Sequence, residues 1–388
     1  MLFSAIRPFR NEMRSYPNQS EFQPETPGTQ WHPGPVLGIE SSCDETAASV
    51  LSREGKVLSN VVSSQGTVHE KFGGVVPELA ARAHLGKIDM VVGEALATAQ
   101  ISKHTLGAVA VTQGPGLAGA LLVGVNYAKA LSYGLGIPII GVNHLQGHIA
   151  SAWLADPTFP QSCIVLVVSG GHTHLYRYEA GRLCILLGRT RDDAAGEAFD
   201  KGAQMLGLGY PGGPAIDRIA RSGDLLAIRF PRFHRAKNDL EFSFSGLKTA
   251  LLYKLREIDG PLRSHQTADL AASYQEAIVQ ALATKAFAAL KQSSLTALAV
   301  VGGVSANSRL RTVLSERAAR EGIHLSLPPI EYCTDNAAMI ASAGRQLLMS
   351  GKRPYLNLDI SPAERYMTIH EETEKIPVSL WDKEKANS

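Results

Sequence analysis

Two histidines four residues apart are the clearest candidates for chemistry in this sequence. The segment His144-Leu145-Gln146-Gly147-His148 places both imidazoles on one face of a helix, where they could share a metal ion. Twelve histidines in 388 residues give such a pair by chance roughly 0.4 times, so the spacing alone leaves packing or capping roles open. Leu145 stands where zinc proteases of this pattern carry a glutamate base, which disfavours proteolysis.

A third metal ligand is available in Asp335, which immediately precedes an alanine-rich segment predicted to be a helix. The alternative role for this carboxylate is that of a helix N-cap. Two histidines and one carboxylate leave coordination positions open for water or substrate. Such a set suits zinc or ferrous iron acting as a Lewis acid.

Glycine-rich turns after predicted strands form the second candidate feature. A glycine turn that leads into a helix lets backbone N–H groups approach an anion. Each turn taken singly is typical of any tight bend, and neither a Walker nor a Rossmann pattern occurs. Together they favour a nucleotide-like ligand. The turns are Ser169-Gly170-Gly171, Gly212-Gly213-Pro214 and Gly302-Gly303.

Charged residues near these turns admit two interpretations each. Asp193, Glu197 and Lys201 fall at helical spacing and could be a salt-bridged face, while Asp200 and Asp217 could bind ribose hydroxyls. The segment 229–248 interleaves cations with phenylalanines, which suits RNA phosphates and unstacked bases but equally a partly buried hairpin. Its members are Arg229, Phe230, Arg232, Phe233, His234, Arg235, Lys237, Phe242, Phe244 and Lys248.

The order of elements repeats in the two halves of the chain. A strand, a small polar turn and a second strand occur at 36–51 and again at 163–178. A strand, a glycine turn and a helix then occur at 108–135 and again at 297–319. This duplication predicts an α/β protein of two related lobes around a cleft.

Composition narrows the classes of protein further. The net charge of +2 excludes a globally basic nucleic-acid binder, so a polyanion would need a local patch. The four cysteines are widely spaced, which favours a reducing, cytosol-like compartment without disulfides.

The uncharged stretch from Thr105 to Tyr127 is interrupted by glycine and proline, which favours a buried strand, loop and helix over a membrane span. Residues 1–35 are predicted to be a flexible extension, or an organellar presequence, although their glutamates disfavour the latter.

Ten sequence motifs in one order resemble the TsaD family, the tRNA N6-adenosine threonylcarbamoyltransferases. The resemblance runs from about residue 36 to about residue 345. The motifs are GIESSCDET from Gly38, FGGVVPELAAR from Phe72, GPGLAGALLVG from Gly114, HLQGH from His144, VVSGGHT from Val167, DDAAGEAFDK from Asp192, YPGGPAID from Tyr210, FSFSGLKTA from Phe242, GGVSAN from Gly302 and TDNAAM from Thr334.

The resemblance implies an actin/Hsp70/sugar-kinase-like fold and a metal site at His144, His148 and Asp335. It implies one divalent metal per subunit, with Fe(2+) favoured over Zn(2+). The implied lobes are 36–160 and 161–345, with an inserted helical and basic region near 190–265 and a tail at 346–388. The implied substrate-binding residues are Val167, Val168, Ser169, Gly170, Gly171, Asp200, Gly213, Asp217 and Asn307.

The implied reaction moves a threonylcarbamoyl group from threonylcarbamoyl-AMP to N6 of adenosine 37 in tRNAs that read codons beginning with A. The chemistry requires a base near N6, for which we hypothesise Asp44. Bacterial members act in the cytoplasm with a paralogous actin-fold subunit, TsaB, and a small ATPase, TsaE, without a membrane. The alternatives are an ATPase or sugar kinase of the same fold and a noncatalytic paralogous subunit. The three retained metal positions argue against the noncatalytic subunit.

Overall fold

The computed structural model describes residues 34–72, 74–179, 183–231, 239–351 and 356–363. The predicted N-terminal extension lies outside them, apart from its last two residues. The first half of the chain contains β1 (Val36–Glu40), β2 (Glu45–Leu51), β3 (Val57–Ser64), α1 (Gly66–His69), α2 (Pro77–Ala99), β4 (Ala108–Gly114), α3 (Ala118–Leu135), β5 (Ile139–Asn143) and α4 (His144–Ala155).

The second half repeats this pattern with additional helices between its third and fourth strands. It contains β6 (Ser162–Val168), β7 (Thr173–Glu179), β8 (Leu183–Arg189), α5 (Ala195–Met205), α6 (Gly212–Ala220), α7 (Ser245–Arg256), α8 (Ser264–Ser293), β9 (Ala297–Val301), α9 (Ser308–Glu321), β10 (His324–Ser326) and α10 (Ala337–Met349).

The two five-stranded sheets have the same topology. Their orders are β3-β2-β1-β4-β5 and, read in the matching direction, β8-β7-β6-β9-β10. In each sheet the first strand pairs antiparallel with the second and parallel with the fourth. The duplication predicted from the order of elements is therefore confirmed. The interior strands β1 and β9 are buried at every residue, which explains why their sequences are apolar apart from Glu40 at the end of β1.

The uncharged stretch from Thr105 to Tyr127 forms β4, a loop and the first part of α3, as predicted. Of the helices in the described ranges, none is long and apolar enough to cross a membrane.

Two helices pack against the sheet of the opposite half of the chain. Helix α4 follows β5 of the first sheet, yet Leu145 and Ile149 share a hydrophobic cluster with Val165 and Val167 of β6. Helix α10 follows the second sheet, yet it packs on β1, β2, β4 and β5 of the first. It approaches β1 so closely that a Cβ at Gly38 would lie 2.3 Å from the backbone oxygen of Ala337. Helices α4 and α10 also pack against each other, so they form the junction between the lobes.

The segment 356–363 returns to the first lobe. Leu358 is fully buried in the hydrophobic cluster of that lobe, together with Leu37 and Val109. Ser361 N–H donates to the backbone oxygen of Gln113 (2.8 Å), and Gly116 N–H donates to that of Pro362 (3.2 Å). The segment therefore braces the loop between β4 and α3.

Candidate active site

The start of α4 orients both candidate histidine ligands. Asn143, the last residue of β5, caps the helix because its Oδ1 accepts the N–H groups of Leu145 (2.9 Å) and Gln146 (3.3 Å). The helix therefore begins at His144, and the rings of His144 and His148 pack edge to face at a centroid distance of 4.7 Å. The predicted i, i+4 pair on one helix face is confirmed.

Asp335 meets both histidines from the start of α10. Its Oδ1 lies 3.4 Å from Nε2 of His144 and 3.2 Å from Nε2 of His148. The capping role considered for Asp335 is wrong, because Asn336 caps α10 through its Oδ1, which accepts the N–H of Met339 at 3.1 Å. Asp335 therefore does not cap α10, and its carboxylate points at the histidine pair.

The three side chains fit a metal ion. One ligand atom from each of His144, His148 and Asp335 can be chosen so that all three lie within 4.8 Å of one another. Both ring nitrogens of His148 are buried, and neither makes a hydrogen bond of good geometry in the described structure, although Nε2 lies 3.2 Å from Oδ1 of Asp335. A buried imidazole left unsatisfied is costly, and a metal ion would remove that cost at Nε2.

Glu40 is a functional candidate that the sequence reasoning missed. It is fully buried at the end of β1, and its Oε2 lies 3.0 Å from Nδ1 of His144. The same carboxylate accepts the Thr112 hydroxyl (2.6 Å) and the Ser42 N–H (2.5 Å). This contact places the proton of a neutral His144 on Nδ1 and leaves Nε2 as the ligand atom. The sequence feature that could have indicated Glu40 is a charged residue at the end of an apolar strand.

The charged groups at this centre shift one another's pKa values toward their charged forms. Burial disfavours the charged form of each group, but His144 holds the pKa of Asp335 well below its usual range. Asp335 and Glu40 in turn raise the pKa of His144 despite its burial. Burial raises the pKa of Glu40, yet the charge and hydrogen bond of His144 outweigh it, so the net pKa is lowered. The centre attracts positive charge.

The turn that carries Asp44 lies between β1 and β2, and a buried histidine fixes it. His84 of α2 donates from Nε2 to the backbone oxygen of Cys43 (3.0 Å) and accepts the Thr46 hydroxyl at Nδ1 (2.8 Å). Burial lowers the pKa of His84, so the neutral ring that these contacts need is favoured. Burial, followed by the charges of Asp335 and Asp44, raises the pKa of neighbouring Glu45 to about 9.

The glycine turn after β6 is closed by its own backbone. Ser169 N–H donates to the backbone oxygen of His172 (2.8 Å), and the His172 N–H donates to Ser169 Oγ (3.2 Å). A Cβ at Gly170 or Gly171 would meet nothing within 4 Å, so the turn borders open space. Val167 and Val168 are fully buried, so only their backbone could reach a ligand.

The remaining predicted substrate residues lie on α5, α6 and the start of α9. Asp200 Oδ1 accepts the N–H of Gly212 at the start of α6 (2.7 Å), and burial raises its pKa. Asp217 Oδ1 accepts the hydroxyl of Ser308 (2.7 Å), the neighbour of Asn307. Gly213 and Gly303 border open space, as Gly170 does. These contacts connect α5 to α6 and α6 to α9.

The base-stacking interpretation of the basic and aromatic segment is wrong for three of its phenylalanines. Phe242 and Phe244 are buried and stacked on each other at 6.2 Å, and Phe230 packs edge-on against Tyr274. These three side chains pack in the hydrophobic core of the second lobe. Arg232, Phe233, His234, Arg235 and Lys237 lie outside the described residues.

The acidic cluster near 193–201 forms the predicted salt-bridged face. Lys201 Nζ lies 2.9 Å from Asp193 and 2.7 Å from Glu197. Lys248 approaches the same Asp193 at 3.8 Å, so one of the cations proposed to meet RNA is partly engaged within the protein.

Comparison with known proteins decides the family. The family model described as "TsaD: tRNA N6-adenosine threonylcarbamoyltransferase" matches residues 56–342. The chain belongs to the TsaD family. A tRNA N6-adenosine threonylcarbamoyltransferase of Anaeromyxobacter dehalogenans is 55% identical over 333 residues, covering 85% of this chain and 99% of the relative. One of Clostridioides difficile is 48% identical over 327 residues, covering 84% of this chain and 97% of the relative.

The family membership confirms the resemblance inferred from the ten motifs and the acyltransferase class inferred with it. Solved structures confirm the fold. HypF of T. kodakarensis matches 84% of this TsaD chain and 48% of its own, with a TM-score of 0.55 at 16% identity. A full-length HypF matches with a TM-score of 0.53 at 12% identity, covering 84% of this chain and 56% of its own.

Proposed function

We propose that this TsaD protein transfers the threonylcarbamoyl group of threonylcarbamoyl-AMP to N6 of adenosine 37 in tRNAs that read codons beginning with A. The observation that carries the proposal is the meeting of His144, His148 and Asp335 at the junction of the lobes. In the transfer, the C–O bond to the adenylate breaks as the bond from N6 to the carbonyl carbon forms. AMP leaves, and N6 gives up one proton.

We include in this proposal a divalent metal ion bound at the three ligands. Ferrous iron or zinc held by the three ligands would act as a Lewis acid on the donor and help to orient it. We favour iron, because two histidines and one carboxylate form the ligand set of many ferrous sites. Glu40 holds the His144 ring so that Nε2 faces the metal position.

The protein's own groups would hold the adenylate. N–H groups at open glycine turns suit a phosphate, and the carboxylates of Asp200 and Asp217 suit ribose hydroxyls. Holding the adenylate in place would position its carbonyl carbon for attack by N6, which is a poor nucleophile. The positions proposed for the adenylate are Val167, Val168, Ser169, Gly170, Gly171, Asp200, Gly213, Asp217 and Asn307.

Asp44 is proposed as the base that accepts the N6 proton. It occupies the turn that His84 braces, and its negative charge, after burial, raises the pKa of the neighbouring Cys43 thiol. We expect Asp44→Asn to lower kcat by about a hundredfold or more, because the amide cannot accept the proton, while binding of AMP is unchanged. Asp259→Asn, an exposed loop substitution, is the control. Turnover of Asp44→Asn near that of the control would rule out the base.

The proposed reaction is tested by supplying metal-loaded protein with tRNA, threonylcarbamoyl-AMP and its partner proteins. Digestion of the tRNA and mass spectrometry then measure threonylcarbamoyladenosine. We expect product that depends on His148 and Asp335. Release of inorganic phosphate or phosphorylated product from ATP, without modified adenosine, would favour the kinase alternative instead.

We also propose that the protein works in the cytoplasm with TsaB and TsaE. Four free cysteines in the described structure suit a reducing compartment. Omitting each partner from the assay in turn measures the requirement. Full and repeated turnover by the TsaD protein alone would contradict it.

A further inference from the structure

Asn307 is held at both ends of its amide. It caps α9, because its Oδ1 accepts the N–H of Leu310 at 2.9 Å. Only the oxygen can accept this hydrogen bond, so the nitrogen must lie on the opposite side. There Nδ2 donates to Oε1 of Gln275 at 2.7 Å. The two contacts leave the side chain a single orientation.

Gln275 approaches Asn307 from α8, a helix that contains none of the predicted site residues. Gln275 is 3% exposed and Asn307 is 9% exposed, so water competes little for this contact. The adjacent residues also connect α8 to the site. Tyr274 donates to the backbone oxygen of Ala198 on α5 (3.0 Å), and Glu276 pairs with Arg309 of α9 (2.7 Å).

One hydrogen of the Asn307 amide remains for a ligand. The first N–H is used by Gln275 and the oxygen by the helix cap, so the second N–H is the group that Asn307 can offer. The hydroxyl of the next residue, Ser308, is directed to Asp217. The start of α9 thus presents an amide donor, and through Ser308 it contacts the carboxylate acceptor of Asp217 on α6. A nucleoside carries both acceptors and donors that such groups could meet.

We propose that Gln275 is a positioning residue, which holds Asn307 so that its free N–H donates to an acceptor of the bound adenylate. The proposal rests on the proposed function, because it takes the adenylate as the ligand. Without the Gln275 acceptor, the Asn307 amide keeps its cap but can rotate its nitrogen away from the ligand. Adenylate affinity should fall, while the rate of transfer from the bound state should change little.

The test compares Gln275 variants by calorimetric binding of AMP to the full chain and by steady-state kinetics with threonylcarbamoyl-AMP. We expect Gln275→Ala and Gln275→Leu to raise Kd for AMP and KM about tenfold or more, with kcat within about threefold of wild type. Gln275→Glu keeps an oxygen acceptor and should restore binding to within about threefold. Gln280→Ala is the matched control, because Gln280 lies on the same helix and donates to Glu276 (2.8 Å) rather than to Asn307.

A second variant separates the cap from the ligand contact. Asn307→Asp keeps the acceptor for the Leu310 N–H, and the Gln275 amide can turn to donate to it, but no N–H remains for the ligand. We expect thermal stability close to wild type and a loss of AMP affinity of about tenfold or more. Wild-type affinity in Asn307→Asp would overturn the proposal, as would wild-type affinity in Gln275→Ala or no recovery in Gln275→Glu.

The binding readout separates this inference from the proposed function. AMP binding that responds to these variants as expected, with no modified adenosine formed by the wild type, would refute the proposed transfer and keep the positioning role. If the wild type forms modified adenosine but the Gln275 variants bind AMP as tightly as the wild type, the positioning role is refuted and the proposed transfer is kept.

Discussion

At the scale of single residues, the candidate centre depends on a carboxylate that is not itself a proposed ligand. Glu40 accepts hydrogen bonds from Thr112 and Ser42, and these fix its orientation toward Nδ1 of His144. A glutamine at this position would place an NH2 group against one of those donors. The His144 ring would then lose the partner that selects its tautomer.

Glu40→Gln is therefore expected to weaken metal binding by about 10- to 100-fold. Competition with a chelator for Zn²⁺ at neutral pH measures the affinity, and Glu54→Gln, an exposed carboxylate on the same lobe, is the control. Equal affinities in the two variants would show that His144 needs no support from Glu40. Thermal unfolding in chelator checks that both variants are folded.

His174 makes the second lobe sensitive to acid. Burial, followed by the positive charge of Arg189, lowers its pKa from 6.5 to about 4. The unfolded chain therefore binds this proton before the folded protein does. The contribution of His174 to the free energy of unfolding should fall by about 3 kcal/mol as the pH drops from about 6.5 to about 4, and it should change no further below that.

We expect His174→Gln to reduce this pH dependence by about one proton in metal-free protein. Urea unfolding between pH 4 and 7 gives the free energies, with His104→Gln as an exposed control. His84 and His172 also have lowered pKa values, so part of the slope should persist in the variant. A slope identical to that of the control would mean that His174 does not carry the effect.

At the scale of elements, the segment 356–363 supports the loop that meets the β1–β2 turn. Gln113 Nε2 donates to the backbone oxygen of Asp359 (2.8 Å), and Leu117 N–H donates to that of Ser42 (2.8 Å). The segment and the turn that carries Asp44 thus hold the same loop from two sides. Leu358 anchors the segment in the core.

Leu358→Ala should destabilise the protein by about 2–5 kcal/mol, because it leaves a cavity in the first lobe. Leu226→Ala is the matched control, since Leu226 is 82% exposed and its truncation should cost less than about 0.5 kcal/mol. Chemical denaturation measures both. A loss in Leu358→Ala no larger than in the control would mean that the segment adds nothing to the fold.

The local elements were largely predictable from sequence, whereas their long-range packing was not. Apolar runs and glycine bends marked β1, β4, β6 and β9, and spacing placed His144 and His148 on one helix face. No local pattern shows that α10 packs on the opposite sheet, because that contact depends on the whole topology. For the same reason the sequence left open whether Phe242 and Phe244 are buried or exposed, since alternation with cations does not reveal which side of a loop is covered.

At the scale of the whole molecule, the metal position lies where the chain passes between its lobes. His144 and His148 belong to α4, which packs on the second sheet, and Asp335 precedes α10, which packs on the first. An ion bound by all three would connect both helices of the junction. Such an ion binds the folded protein and not the unfolded chain, so it should stabilise both lobes together.

Titration with Zn²⁺ should therefore raise the unfolding temperature of metal-free protein as one cooperative transition. The gain is about 3 kcal/mol at a free metal concentration of about one hundred times Kd. Asp335→Ala and His148→Ala should abolish the shift, whereas Asp156→Ala, a substitution on an exposed loop, should keep it. The metal-induced shift is compared within each variant, because loss of a buried partner changes the baseline. Two resolved transitions, of which the metal raises only one, would show that the site belongs to a single lobe and does not join them.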